Sequence, residues 1–262
     1  MGTAFMNGPV LHTEDLAVGH GHIRVLEHVR IEAMTGGLTA LLGANGSGKS
    51  TLLHTLAGLL MPLSGRVLLD DQDVHRMPAR ERAQHIAIVL TGRPQLGLMD
   101  VKGLVALGRH PWTGRAGNLS ASDEAAIVRA LEQADAAGLA DRQVNALSDG
   151  ECQKVMIARA LAQDTPVLLL DEPTAFLDLP NRARLTRMLR SIARDTGRSV
   201  LFSTHDLQLA VDLCDRLLLV RPDRTIWQGP PAEAIALGEL ERAFMGTGLQ
   251  FDREHGTHRF LP

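Results

Sequence analysis

The glycine-rich stretch GANGSGKST at residues 43–51 constrains this chain more than any other segment. It follows LTALL, an apolar run typical of a strand, and leads into STLLHTLAG, whose apolar residues have helical spacing. Its first eight residues match the pattern G-x-x-x-x-G-K-[ST] of a phosphate-binding P-loop. Its glycines let backbone N–H groups curl around phosphate oxygens without a clashing Cβ atom, and the following helix adds the positive end of its dipole. We therefore predict a phosphate-binding loop here.

Side chains of the same loop predict how a nucleoside triphosphate is held. Lys49 would reach the β- and γ-phosphates, Ser50 would ligate Mg²⁺, and Thr51 would hydrogen-bond a phosphate further back. The flanking strand and helix disfavour the alternative of a glycine-rich turn without a ligand. The nucleotide-binding residues predicted in this loop are Gly43, Asn45, Gly46, Ser47, Gly48, Lys49, Ser50 and Thr51.

An acidic pair ends the apolar run LLLDE at residues 168–172. Alone, the pair would be interpreted as the polar end of a strand. In a chain with a P-loop, Asp171 is predicted to hold Mg²⁺ through water, because the metal neutralises charge on the β- and γ-oxygens. Glu172, one residue on, would polarise the attacking water as a general base. The pair therefore predicts hydrolysis of the bound nucleotide.

Composition limits the class of protein. Among 262 residues there are 27 basic and 30 acidic side chains, which is not the basic excess of a nucleic-acid-binding protein. No apolar run approaches the roughly 18 residues that span a bilayer, and the N-terminus lacks the layout of a secretion signal. The two cysteines favour a reducing compartment. These features are typical of a cytosolic α/β enzyme.

The order of apolar patterns predicts an α/β fold with a P-loop NTPase core and a mostly parallel sheet. Short runs over residues 11–42 predict strands of an N-terminal antiparallel β subdomain, and GRVLLDDQDV predicts an edge strand. Residues 98–162 are helical in pattern, with DVKGLVALGRH as one helix and a capping box from Ser120 to Asp123. Strands and helices alternate over residues 167–220, as in a parallel sheet.

The segment LSDGE at residues 147–151, here named the signature segment, is where the sequence resembles a known family. It resembles the LSGGQ signature of ATP-binding cassette (ABC) ATPases. GANGSGKST, VLLLDEPT, AFLD (175–178) and STHD (203–206) stand in the family's order around it. The resemblance covers nearly the whole chain. It implies one nucleotide-binding domain over residues 1–262, with a core and β subdomain at 9–97 and 163–262 and a helical subdomain at about 98–162.

The resemblance also implies roles at matching positions. In the family two subunits pack head to tail and enclose two ATP molecules. Ser148 and Gly150 would contact the γ-phosphate that the partner's Lys49 holds. Asp178 would connect the two sites. His205 would contact the γ-phosphate and keep the water that Glu172 polarises in line for attack. The catalytic residues implied by the resemblance are Glu172, His205 and Lys49.

The chain departs from the family pattern in three places. In the signature segment, Asp149 replaces the first glycine and Glu151 the glutamine, and Asp149 is expected to point away from the phosphate. After HIAIV, Thr91 stands where the family has a glutamine that senses Mg²⁺, with Gln95 as the alternative.

The third departure concerns adenine. The chain has no tyrosine to stack on the base. We expect His20 in VGHGH to do so, with His22 second, and a metal site at these two histidines is the less favoured alternative because two ligands do not complete a zinc site.

Residues 105–124, VALGRHPWTGRAGNLSASDE, resemble the ATPases of importers for iron-siderophore, haem and cobalamin complexes. The resemblance implies a transport motor at the cytoplasmic face of the inner membrane, a peripheral subunit bound to membrane-spanning permease subunits. It also implies ATP with Mg²⁺, a homodimer, an extracytoplasmic substrate-binding protein and no nucleic acid. The alternatives are an exporter ATPase for haem or lipid, a DNA-repair or translation ATPase, and a regulatory module that binds ATP without turnover.

Overall fold

The computed structural model describes residues 9–92, 98–114, 117–245, 249–252 and 257–260. None of the helices in these ranges is long and apolar enough to cross a membrane. The strands are β1 Pro9–His20, β2 Ile23–Val29, β3 Glu32–Met34, β4 Leu38–Leu42, β5 Ser64–Leu69, β6 Gln72–Asp73, β7 Ile86–Val89, β8 Val167–Leu170, β9 Ser199–Ser203, β10 Arg216–Val220, β11 Ile226–Gly229, β12 Leu249–Asp252 and β13 Thr257–Phe260. The helices are α1 Lys49–Leu56, α2 Ala79–His85, α3 Val101–Ala106, α4 Ala121–Gln133, α5 Asp149–Ala162, α6 Leu179–Thr196, α7 Leu207–Leu213, α8 Pro231–Ala236 and α9 Glu239–Ala243.

The N-terminal strands form an antiparallel sheet in the order β2-β1-β5-β6, with β3 also paired to β1. The prediction of an edge strand from GRVLLDDQDV was wrong. Residues 64–69 pair with β1 on one side and β6 on the other, and the two aspartates after them form the turn of a β5–β6 hairpin. The edge strand is β6, which has only two residues. The polar end of GRVLLDDQDV therefore lies at the edge of the sheet, whereas its apolar start forms an interior strand.

The second sheet holds six strands in the order β11-β10-β4-β9-β8-β7, and all but β11 are parallel. Four neighbouring strands, β10, β4, β9 and β8, have almost uninterrupted buried sequences. Such runs are typical of strands covered by other elements on both faces. Because β4, β9 and β8 are parallel neighbours, their carboxyl ends meet at one edge of the sheet.

The helices between residues 101 and 162 share one continuous apolar cluster with this sheet. Val105 of α3, Ile127 of α4 and Val155 of α5 belong to the same buried cluster as Leu42 of β4 and Leu170 of β8. The expected single helix DVKGLVALGRH ends at Ala106 and continues as a short 3₁₀ turn. The subdivision at residues 98 and 162 stays a prediction, because the described helices of residues 101–162 share the core of the sheet.

A buried ion pair holds the helical stretch together. Arg109 donates from Nε to Asp123 Oδ1 at 2.8 Å and from Nη1 to the carbonyl oxygen of Ala162 at 2.8 Å. Its guanidinium lies 5.3 Å from the ring centre of Trp112. Asp123 also completes the capping box predicted with Ser120, which is confirmed. The ion pair therefore joins the start of α4 to the end of α5.

Asp123→Ala is expected to lower the free energy of unfolding by about 3 kcal/mol, because it leaves the guanidinium of Arg109 buried without its carboxylate. Urea unfolding followed by circular dichroism measures the change. The matched control is Glu124→Ala, which removes a half-exposed pair with Lys102 at 3.0 Å and should cost less than about 1 kcal/mol. Equal losses for the two variants would contradict the structural role of the buried pair.

The same carboxyl predicts the acid sensitivity of the helical stretch. Hydrogen bonds from the hydroxyl and amide of Ser120, with a further one from Arg109, lower the pKa of Asp123 to about 2. An acid with a lowered pKa stabilises the fold above the unfolded pKa of about 4 and loses that contribution as the pH falls towards 2.

Candidate functional site

The P-loop, residues 43–50, follows β4 and includes the first two residues of α1. Gly46 and Gly48 have φ of 74° and 99°, in the left-handed region that favours glycine. A Cβ atom on Gly48 would lie 2.4 Å from Cγ1 of Val25. Within the described residues, the hydroxyl of Ser47 is buried without a hydrogen-bond partner. The loop thus has a backbone that needs glycine, no room for a side chain at Gly48 and an unsatisfied polar atom, as expected of a phosphate cradle.

Lys49, the first residue of α1, points back over the loop. Its Nζ donates to the carbonyl oxygens of Gly43 at 2.9 Å and Ala44 at 3.0 Å, and the residue is 5% exposed. Burial lowers the pKa of Lys49, while the nearby charges of Glu172 and Asp171 act in the opposite direction. The sheet therefore brings the P-loop lysine close to the predicted acidic pair.

The acidic pair follows β8 and is held by a hydroxyl from the neighbouring strand β9. Ser203 Oγ donates to Asp171 Oδ1 at 2.7 Å and accepts from the amide of Glu172 at 2.7 Å. Ser203 is fully buried and Asp171 is 2% exposed. Glu172 has a φ of 47°, an uncommon conformation for a residue with a side chain. The role of Ser203 was not predicted, although it is the first residue of STHD.

His205 meets Glu172 at the same edge. Its Nε2 lies 2.5 Å from Glu172 Oε1, and both side chains are partly exposed. One residue comes from the loop after β8 and the other from the loop after β9, so neither motif alone could predict the contact. The structure thus places a carboxylate and an imidazole together, facing solvent beside the P-loop lysine.

Two further residues predicted to bind the nucleotide, His20 and Thr91, lie near this edge. His20, exposed at the end of β1, has its Nε2 3.4 Å from Thr51 Oγ1, so the ring expected to stack on adenine is next to the P-loop helix. Thr91 is exposed two residues after β7, and the end of β7 is bonded to Asp171 through an amide-to-carbonyl hydrogen bond of 2.8 Å. The alternative residue Gln95 lies outside the described residues.

The signature segment is a separate feature of the chain, at the start of α5. Ser148 caps this helix and forms a capping box with Glu151. Ser148 and Gly150 line a cavity of about 330 Å³ whose other wall includes Asn181 of α6. Asp178 caps α6 by accepting from the amide of Asn181 at 3.0 Å. Within this one chain, the structure does not bring Ser148, Gly150 and Asp178 into the contacts that join Lys49, Asp171, Glu172 and His205.

A model of the ABC transporter family matches residues 26–175, more than half of the 262 residues. The chain belongs to the ABC transporter family. The predictions of an α/β P-loop cassette fold and of an ABC-type ATPase are thereby confirmed. The residue-by-residue roles are a separate matter and stay predictions.

Similar proteins include two bacterial transport ATPases and a solved cassette. The achromobactin transport ATP-binding protein of Dickeya dadantii is 39% identical over 240 residues, which cover 92% of this chain and 87% of the relative. The ferric enterobactin transport ATP-binding protein of Escherichia coli is 35% identical, with coverage of 89% and 86%. The structure of CbiO1 from Clostridium perfringens, part of the ABC transporter complex CbiONQ, has a TM-score of 0.78 at 28% identity, with coverage of 90% and 94%.

Ser203→Ala is expected to slow ATP turnover by about ten- to hundredfold, because it removes the hydroxyl that orients Asp171 and leaves the amide of Glu172 unsatisfied. Steady-state phosphate release measures the change. Ser199→Ala is the matched control: Ser199 is buried at the other end of β9, where the same substitution is far from the acidic pair. Equal rates for the two variants would show that the Ser203 hydroxyl does not position the acids.

Proposed function

We propose that the chain is the ATP-hydrolysing motor subunit of an importer for metal chelates, with iron-siderophore complexes as the favoured cargo and haem and cobalamin as the other members of the class. The observation that carries the hydrolytic part is the contact between Glu172 and His205 beside a buried P-loop lysine. The cargo class is supported by the likeness to the achromobactin and ferric enterobactin transport proteins.

The nucleotide would bind across the P-loop. Backbone N–H groups of residues 43–50 and the start of α1 would hold the phosphates, with Lys49 at the β- and γ-phosphates and Thr51 further back. Asn45 and Ser47 would contribute from the loop itself, and the buried hydroxyl of Ser47 would gain a partner. His20 would stack on adenine, since its ring lies next to Thr51 at the same end of α1.

The residues around the acidic pair fit a Mg²⁺ ion bound together with the nucleotide. Ser50, Asp171 and Thr91 offer the hard oxygen ligands that Mg²⁺ prefers, and Asp171 is a buried carboxylate with one oxygen already oriented by Ser203. Among the described residues, no group of three or more His, Cys, Asp or Glu side chains is placed to hold a metal. Such a site suits an ion that takes its remaining ligands from phosphate and water, where it would neutralise phosphate charge.

Hydrolysis needs one proton transfer and one phosphoryl transfer. Glu172 would accept a proton from the water as its oxygen forms a bond to the γ-phosphorus, and the bond from that phosphorus to the bridging oxygen breaks to leave ADP. His205 would keep the carboxylate of Glu172 and the water in line through the contact of Nε2 with Oε1. Lys49 would balance the negative charge that develops on the phosphate oxygens.

Two copies of the chain would complete the site. Ser148 and Gly150 of one copy would contact the γ-phosphate bound to the other, and Asp178 would link the two sites. The dimer would act on membrane-spanning permease subunits at the cytoplasmic face of the inner membrane, in a complex with an extracytoplasmic substrate-binding protein. The dimer would close when ATP binds and open after hydrolysis, and these movements would drive import.

Glu172→Gln is expected to form an ATP-dependent dimer that the wild type does not accumulate, because the amide cannot accept the proton and the closed state persists. Molar mass by light scattering, with and without Mg²⁺-ATP, tests the composite site directly. The control is Lys49→Ala. It removes the side chain that would bind the β- and γ-phosphates, so this variant should stay monomeric. A monomeric Glu172→Gln that still binds ATP would contradict dimer closure by this chain.

Uptake by whole cells tests the cargo. Cells in which Glu172→Gln replaces the wild-type chain should lose uptake of a labelled ferric siderophore, while uptake of an unrelated nutrient such as glucose continues. Loss of cyanocobalamin or haemin uptake instead would assign another member of the chelate class. Unchanged uptake of all three chelates would contradict the proposed importer.

A further inference from the structure

Arg142 lies where the chain entering the signature segment is fixed to the start of α3. The amide of Val101 donates to the carbonyl oxygen of Arg142 at 3.0 Å, and the amide of Val144 donates to the carbonyl oxygen of Met99 at 3.0 Å. The backbone around Arg142 is therefore bound to residues 99–101, at the start of α3.

The side chain of Arg142 points to the signature segment. Its Nη1 donates to Glu151 Oε1 at 2.6 Å, and its Nη2 donates to the carbonyl oxygen of Ala146 at 2.8 Å. Two bonds from the two ends of one guanidinium fix both its position and its plane. The positive charge is thus directed at the carboxylate of Glu151.

The second carboxylate oxygen of Glu151 is hydrogen-bonded to Ser148. Oε2 accepts from the amide of Ser148 at 2.8 Å and from its hydroxyl at 2.9 Å, while Ser148 Oγ accepts from the amide of Glu151 at 3.3 Å. Hydrogen bonds from the amide and hydroxyl of Ser148, with a smaller contribution from Arg142, lower the pKa of Glu151. The side chain is a carboxylate at neutral pH, and its negative charge is one hydrogen bond from the serine.

We propose that Arg142 is a positioning residue of the composite site: it compensates the charge of Glu151 and so allows the Ser148 hydroxyl to meet a γ-phosphate. The inference rests on the proposed contact of Ser148 with the nucleotide of a second copy. A phosphate approaching Ser148 would meet the carboxylate of Glu151, which is hydrogen-bonded to that serine, and like charges this close repel strongly when partly desolvated. Compensation of Glu151 by Arg142 removes part of that repulsion.

The test measures ATP-dependent dimerisation by light scattering in the Glu172→Gln background. Adding Arg142→Gln should weaken dimerisation by about tenfold or more, because the carboxylate of Glu151 is left uncompensated. Binding of ATP to the monomer should not change, since the P-loop of the same copy is untouched. Raising the salt concentration should reduce the difference from the parent, because exposed charges are screened.

A further substitution separates charge compensation from a merely structural role. Glu151→Gln keeps an oxygen that accepts from the amide and hydroxyl of Ser148 but carries no charge. Added to Arg142→Gln it should restore dimerisation, and in the otherwise unchanged parent it should leave dimerisation as tight or tighter. If Arg142 acts only through Ala146, the combination with Glu151→Gln will stay as weak as Arg142→Gln, which would overturn the proposal.

Two controls complete the design. Arg66→Gln removes another partly exposed arginine–glutamate pair, that of Arg66 and Glu14 on the antiparallel sheet, and should not alter dimerisation. Ser148→Ala should weaken dimerisation at least as much as Arg142→Gln. If Ser148→Ala weakens it and Arg142→Gln does not, only the inference on Arg142 fails. If Glu172→Gln fails to dimerise, or Ser148→Ala has no effect, the composite site fails and this inference with it.

Discussion

The parallel pairing of β4, β9 and β8 is the constraint on which the site depends. It aligns the carboxyl ends of three strands, and each end carries a different chemical group: the P-loop after β4, His205 after β9, and the acidic pair after β8. The strands are buried throughout, so their positions are fixed by packing rather than by the polar groups they carry. The loops can therefore adopt uncommon backbone conformations, as Glu172 does with a φ of 47°, without loss of alignment.

Local sequence was sufficient for the parts of the fold with local causes. Uninterrupted apolar runs predicted the buried strands, the spacing of Ser120 and Asp123 predicted a capping box, and the segments that flank the glycine-rich loop predicted a strand before it and a helix after it. Features that depend on neighbours distant in sequence were not predictable in this way. The pairing of β5 on both sides, which made the edge-strand prediction wrong, is decided by β1 and β6 and not by its own residues.

The same distinction holds for the candidate site. The acids, the lysine and the histidine were identified from short motifs, but the hydroxyl of Ser203 acts on residues more than thirty positions earlier and only because β9 neighbours β8. Arg142 was missed for a related reason, since no spacing in the sequence connects an arginine before the signature segment to a carboxylate inside it. The signature segment itself was recognised by resemblance, and its position away from the P-loop within one chain agrees with a role that needs a second copy.

The apolar cluster that runs from α3, α4 and α5 into the sheet has a consequence for protein engineering. One form of engineering would replace the helical segment, residues 101–162, with that of a related ATPase. In this chain such a graft would cut through the interior, because side chains such as Val105, Ile127 and Val155 fill space against strand residues. A transplanted segment would have to bring its complementary sheet face with it, because the helical segment and the nucleotide-binding core form one packed unit.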